Sequence, residues 1–300
     1  MDNDKKYIRL LKGFYRKAKF KWDYRNLDIM EAEAGNQQIA ELIRRGDPAM
    51  VARCGAVEMR CVNEYLSGNG FSASIRQEIQ RAAGVFPTED GILKKFCEYY
   101  IACTSQADLL AIWGVGAESK IIRSGSKARL TQLTALEPYY FEQPWSGALK
   151  GKKVLVIHPF KDSIESQYRK RNYLFDHPEV LPELASLACV KAVQSAAGAE
   201  TEYASWFDAL ASMCAEIDRA DFEIAIIGAG AYSLPLAAYV KRIGKIAVQM
   251  SGATQILFGI MGKRWEQIPE VFRLWNEYWV RPSELETPKQ YKLVEGGCYW

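Results

Sequence analysis

The chain has 300 residues, 49% of them hydrophobic and 25% charged, a balance ordinary for a soluble globular protein with a substantial core. No apolar run approaches the roughly 18 residues of a transmembrane helix, and no secretory hydrophobic region opens the chain. Two histidines, His158 and His177, exclude a histidine-rich metal site, and seven cysteines without a CxxC pair read as reduced thiols of a cytoplasmic protein.

The net charge of +3 is uneven. Residues 1–21 hold eight basic and two acidic side chains, net +6, which leaves the remainder at −3. Nucleic acid is therefore not expected as a partner. Tyr7, Ile8, Leu11, Phe14, Tyr15 and Ala18 recur at helical spacing among these cations. Residues 1–28 read as a basic amphipathic segment. It either lies on an anionic membrane surface, each cation adding ~1 kcal/mol, or packs on the body with a solvated basic face.

Residues 29–281 read as one α/β domain. A helix is expected over 29–45, stopped by Gly46, and a short strand at Met50–Arg53. The run Arg53-Cys54-Gly55-Ala56-Val57-Glu58 leads into a helix ending at Gly68, so Glu58 falls just past a strand end and near a helix start. A helix over 89–103 and a strand at Leu109–Trp113 follow. Pro138 and Pro144 argue for irregular chain over 118–150. Lys153–Ile157 is the clearest strand in the middle, ending in His158-Pro159-Phe160. Residues 188–193 lean to strand. Ser205 caps a helix carrying Phe207, Leu210, Met213, Cys214 and Ile217. Val271, Phe272, Trp275 and Trp279 suggest a closing helix over 267–280, and 282–300 reads as a polar, loosely specified tail.

The organising unit is residues 222–265. Phe222–Ile227 is an apolar strand, Gly228-Ala229-Gly230-Ala231-Tyr232 a glycine turn, and Ser233 a cap for a helix that stops at Gly244. Ile246–Val248 leads to a second small-residue loop, Ser251-Gly252-Ala253-Thr254. Strand, turn, helix and strand make a βαβ unit, whose loops lie where open α/β sheets bind ligands. Backbone N–H groups at such turns suit phosphate. The alternation of strands and helices predicts a Rossmann-like, mainly parallel sheet with helices on both faces. As a nicotinamide or flavin fingerprint the turn is a poor match. Ser233 stands at the third glycine position, and the next strand ends in Gln249-Met250 without an acid for a ribose hydroxyl. An oxidoreductase or methyltransferase using Gly228 and Gly230 is one alternative; a non-catalytic scaffold is another.

Arg53-Cys54-Gly55-Ala56-Val57-Glu58 resembles the Arg-x-Gly-x-x-Glu signature of GT-D-fold glycosyltransferases, a bacterial group that builds surface polysaccharides and protein glycans. The blocks LEPYYFEQPWS (136–146), KKVLVIHPFKDSI (152–164), SWFDAL (205–210), GAGAYSLPLAAYVKRIGK (228–245) and GATQILFGIMGKRW (252–265) look like those of uncharacterised proteins assigned to it. The resemblance covers roughly residues 36–265. It implies a GT-D-type fold, a nucleotide-sugar donor (UDP-sugar first), a growing glycan, free or lipid-linked, as acceptor, and a place in the cytoplasm or at the inner face of the plasma membrane. It also implies an Asp-x-Glu motif that holds Mg²⁺ or Mn²⁺ on the donor diphosphate. Glu58 matches the glutamate, but Ala56 stands where the aspartate is usual, which leaves one carboxylate as metal ligand.

On that reading Glu58 holds metal, binds sugar hydroxyls or acts as the base; otherwise it complements a helix N-terminus. Arg53 neutralises the leaving diphosphate, or pairs with an acid such as Glu58. Lys263 and Arg264 serve the same end, or form a solvated turn. Gly55, His158, Gly228, Gly230, Tyr232, Ser233, Gly252 and Gln255 complete the expected donor site. Gln167 and Tyr168 offer polar groups, and Trp145, Trp206 and Trp265 offer rings for sugars or for the core.

Overall fold

The computed structural model describes residues 17–196, 199 and 201–300. Most of the basic amphipathic segment therefore lies outside the described residues; 17–23 are helical. No helix among the described residues is long and apolar enough to cross a membrane.

Among the described residues eight strands follow in chain order: β1 (Ile29–Met30), β2 (Ala49–Arg53), β3 (Leu109–Ile112), β4 (Arg129–Gln132), β5 (Lys153–His158), β6 (Ser186–Lys191), β7 (Ile224–Ile227) and β8 (Ile246–Gln249). They form one sheet in the order β1-β4-β3-β2-β8-β7-β5-β6, and every neighbouring pair is parallel. The longer helices are α1 (Ala32–Arg45), α2 (Ala56–Ser67), α3 (Ala73–Ala83), α4 (Asp90–Thr104), α5 (Glu118–Arg123), α6 (Lys161–Tyr168), α7 (Trp206–Asp218) and α8 (Ser233–Arg242); the short α9 (Ala253–Leu257) and α10 (Pro269–Phe272) follow. This is an α/β, Rossmann-like fold.

The strands read as near-continuous apolar runs because both faces of the sheet are covered. Met50, Ala52, Leu155, Ile157, Ala225 and Ile227 pack on one side, with α2–α4, α7 and α8. Their neighbours Ala49, Val51, Val154, Val156, Ile224 and Ile226 pack on the other, with α1 and the C-terminal segment. That is the period-two alternation of a pleated strand. The first four strands lie to one side and the last four to the other, so β2 and β8 meet in the middle through Ala49↔Ile246, Met50↔Ala247 and Val51↔Val248. All carboxyl ends share one edge, and the loops leaving β2, β5, β7 and β8 converge there.

Three local expectations are corrected. Residues 118–150 are not wholly irregular: α5 and the strand β4, which pairs with both β1 and β3, lie within them. The closing helix over 267–280 does not form. Helix α10 stops at Phe272, and Val280 instead bridges Ile260, with the Met261 N–H donating to the Val280 carbonyl at 2.8 Å. Trp279 is buried by its indole N–H bond to Leu174 O, not by helical periodicity. The tail is not loose either. Val294 and Cys298 are buried, and Glu286 is 1% exposed, its carboxylate accepting from the Asp162 and Ser163 amides at the start of α6.

Candidate active site

A cavity of about 610 Å³ opens at the carboxyl edge of the sheet, within the range usual for small-molecule sites and at the edge where open α/β sheets bind ligands. Arg53 and Gly55 reach it from β2, His158 from β5, Gly228 and Gly230 from β7, and Gln249 and Ser251 from β8. Glu58 lines the same cavity from the first turn of α2. The acidic residue and the glycine turn, 170 positions apart in sequence, thus share one space.

Glu58 is set by Gly55. Gly55 is the N-cap of α2, and its N–H donates to the buried Tyr100 hydroxyl at 2.9 Å. A Cβ at this position would lie 2.0 Å from Glu58 Oε2 and 2.3 Å from its Cδ. The missing side chain is the space in which the carboxyl sits. Glu58 is only 7% exposed. Burial pushes its carboxyl above the usual range, against the pull of its own amide, of Arg53, Arg60 and the Val57 amide. The group lies in the first turn of α2 and also faces the cavity.

Arg53 does not pair with Glu58. Among the described residues its guanidinium has no carboxylate partner; it lies over the Trp113 ring at 4.9 Å and donates to Cys54 O at 3.4 Å. The Trp113 indole N–H donates to the same carbonyl at 2.9 Å. Trp113, 39% exposed, is the flat wall of the cavity that the sequence did not single out. Half-buried Glu137 also feels Arg53: burial pushes its carboxyl up to about 7, and the guanidinium pulls it back.

His158 is buried, and burial alone drives its pKa down to about 3, so the ring is neutral. Its Nδ1 accepts from the Phe160 N–H at 3.0 Å. The proton therefore sits on Nε2, and the ring contributes a neutral donor edge to the site.

The two crest glycines have different reasons. A Cβ at Gly228 would meet His158 Cδ2 at 2.6 Å, Ser251 O at 2.6 Å and Thr254 Oγ1 at 2.7 Å, so close packing of three strand ends demands glycine. Gly230 has φ +56 and a Cβ there would meet only Ala83 O, at 3.9 Å, so backbone conformation and not crowding demands it. Ser233 is not the N-cap; it is the first residue of α8, fully buried, and its Oγ accepts from the Ala229 N–H at 2.7 Å. It shapes the crest from beneath without lining the cavity. Tyr232 lines it but is committed to the frame: it stacks on Trp206 at 4.9 Å and its hydroxyl meets Ser195 Oγ at 2.9 Å.

On the far wall Gln249 Oε1 accepts from the Arg53 N–H at 3.1 Å, and its Nε2 donates to Ser251 Oγ. Ser251 adopts φ 53, an uncommon conformation for a non-glycine residue. Gly252 fits against Tyr299 and Trp265. Gln255 donates to the carbonyls of Ile260 and Tyr299, which fixes its amide and leaves Oε1 buried without a partner. Arg264 lines the cavity and pairs with Glu295, whereas Lys263 is exposed and outside it. Gln167, whose amide donates to the Gly259 and Tyr278 carbonyls, and Tyr168, whose hydroxyl accepts from the Leu184 N–H, serve the frame. Trp145 and Trp206 are fully buried in the core, and Trp265 backs Gly252. The sequence missed the C-terminal wall, Val294, Glu295, Tyr299 and Trp300, for which polar, glycine-bearing composition gave no signal.

Among the described residues no group of three or more His, Cys, Asp and Glu comes together. The carboxylates lining the cavity are Glu58 and Glu295, and the second is paired with Arg264. One unpaired carboxylate does not make a ligand set for Mg²⁺ or Mn²⁺ without the substrate's own oxygens.

No family model and no curated protein matches this chain. A solved structure titled as a selenomethionine-substituted domain of unknown function 1792 is similar at a TM-score of 0.45 and 10% identity, over 78% of this chain and 82% of that one.

Proposed function

We propose that the chain is a glycosyltransferase that moves a sugar from a nucleoside diphosphate, UDP first, to a hydroxyl of a growing glycan, carried on a lipid at the inner membrane face. The observation that carries the reading is the single cavity shared by Glu58, Arg53 and the Gly228–Gly230 crest. In the reaction the acceptor oxygen bonds to the anomeric carbon, and the bond from that carbon to the diphosphate oxygen breaks with its electron pair. The acceptor proton passes to the Glu58 carboxylate, which burial makes a stronger base than an ordinary glutamate. Arg53 and Arg264 face the charge that develops on the leaving diphosphate. His158 and the Gly230 amide donate hydrogen bonds to the same group, and Trp113 or Tyr299 offers a flat face to the base or sugar.

The glycine turn alone would also suit a dinucleotide or a methyl donor, but packing already accounts for Gly228. A thermal-shift panel separates the readings. UDP or GDP is expected to raise the midpoint, NAD(P) and S-adenosylmethionine are not, and the nucleotide shift should persist in EDTA because the chain itself supplies so little to a metal. Stabilisation by NAD(P) or S-adenosylmethionine alone would replace the transferase reading; loss of the UDP shift in EDTA would restore metal to the mechanism.

A further inference from the structure

Arg264 sits in the cavity wall with its guanidinium 4.9 Å from the centre of the Tyr299 ring, and it is held by the carboxylate of Glu295. Glu295 reaches it from an unusual stretch of backbone: Glu295, Gly296 and Gly297 have φ of 47°, 73° and 83° in succession. Glycine takes that conformation freely, glutamate does not. The segment is anchored on either side. Val294 is buried, the Arg264 N–H donates to Cys298 O at 2.9 Å, and the Lys263 N–H donates to Trp300 O at 3.2 Å. Between those anchors the chain coils back and lays one carboxylate on the cation.

We infer that Glu295 is a built-in occupant of an anion subsite at Arg264, which a diphosphate enters by displacing it. The pair is half-exposed, with side-chain accessibilities of 37% for Arg264 and 54% for Glu295, and such pairs hold weakly in water. A phosphate carries more charge than a carboxylate and matches the guanidinium fork, so the exchange favours the ligand. Displacement frees the Glu295 side chain, which otherwise also accepts from the Cys298 thiol at 3.6 Å, to turn toward solvent, while the backbone turn stays closed by the Gly297 N–H bond to Val294 O at 2.8 Å. In the absence of donor, Glu295 keeps Arg264 aligned and its charge satisfied. The identity of the anion as a nucleoside diphosphate rests on the transferase reading; the subsite itself does not.

Titration calorimetry of the full chain with inorganic pyrophosphate, UDP and uridine tests this in wild type, Glu295→Gln and Arg264→Gln, with Glu295→Ala as a second variant should the first not fold. Glu295→Gln is expected to bind pyrophosphate and UDP about two- to fivefold tighter, the range released by removing one exposed ion pair. Arg264→Gln should bind both at least about tenfold weaker, and uridine, which has no phosphate, should bind all forms alike. Pyrophosphate binding that is unchanged or weaker in the Glu295 variants, or undetectable in every form, overturns the inference. If UDP fails to bind wild type while pyrophosphate follows the series, the transferase reading falls and the subsite stands. If UDP binds and the series is flat, the subsite falls and the transferase reading stands.

Discussion

Glu58→Gln is expected to lower sugar transfer by about 10²–10⁴-fold, the usual worth of a positioned general base, and to raise the thermal midpoint at neutral pH. The two effects have one cause. Burial lifts the folded-state pKa of Glu58 above that of the unfolded chain. Between those two values the folded protein holds a proton that the unfolded chain has lost, so stability falls as pH rises through that window and is restored below it. Above the window the folded protein carries a buried carboxylate whose ionised form is disfavoured. Glutamine has nearly the same shape and cannot ionise, so that cost disappears together with the base. Wild-type activity should fall as pH drops through the same raised pKa, because the base must be deprotonated. Glu137, pushed up to about 7, is the other carboxyl near Arg53 able to shape that limb; Glu137→Gln should leave a Glu58-controlled acid limb in place. Full activity in Glu58→Gln would reduce Glu58 to a helix-start residue.

Gly55→Ala is expected to cost about 10–100-fold in transfer with little change in stability. The backbone at Gly55, φ −80 and ψ 143, is open to any residue. The added methyl would instead fall 2.0 Å from Glu58 Oε2, so the flexible end of that side chain must move. Displacement of a reacting group by about 1 Å can lower rate by about 10²-fold. A structural role for the pair predicts a different outcome, in which stability and activity fall together. Thermal denaturation beside initial-rate kinetics on the variant decides between them.

The parts of this molecule legible in the sequence are those in which one residue carries its own physical reason. The central strands announced themselves because a sheet covered on both faces needs uninterrupted apolar runs such as Val154–Ile157 and Ile224–Ile227. The helix stops at Gly46 and Gly68 were readable because both glycines adopt the left-handed conformation of a C-cap. Glu58 and the crest at 228–230 were readable as loops at strand ends, and their meeting followed from parallel topology. The strand β4 was not, since in Arg129–Gln132 only Leu130 and Thr131 are buried and no apolar run marks it. The apolar spacing of Val271, Phe272, Trp275 and Trp279 imitates a helix, yet Trp279 is buried through a tertiary bond to Leu174 O and the chain returns to pair with Ile260. The C-terminal wall was invisible for the same reason. Tyr299 and Trp300 are placed by long-range bonds to Gln255, Lys263 and Glu286, and local propensity says nothing about those.

A crystal structure of the chain with UDP bound would show whether the cavity at the carboxyl edge of the sheet is the donor site. The diphosphate is expected between Arg53 and Arg264 beside the Gly228–Gly230 crest, with Glu295 turned away and the Glu58 carboxyl facing the space where the sugar carbon would lie. A nucleotide seated outside this cavity, or inside it with its phosphates remote from both arginines, would contradict that placement.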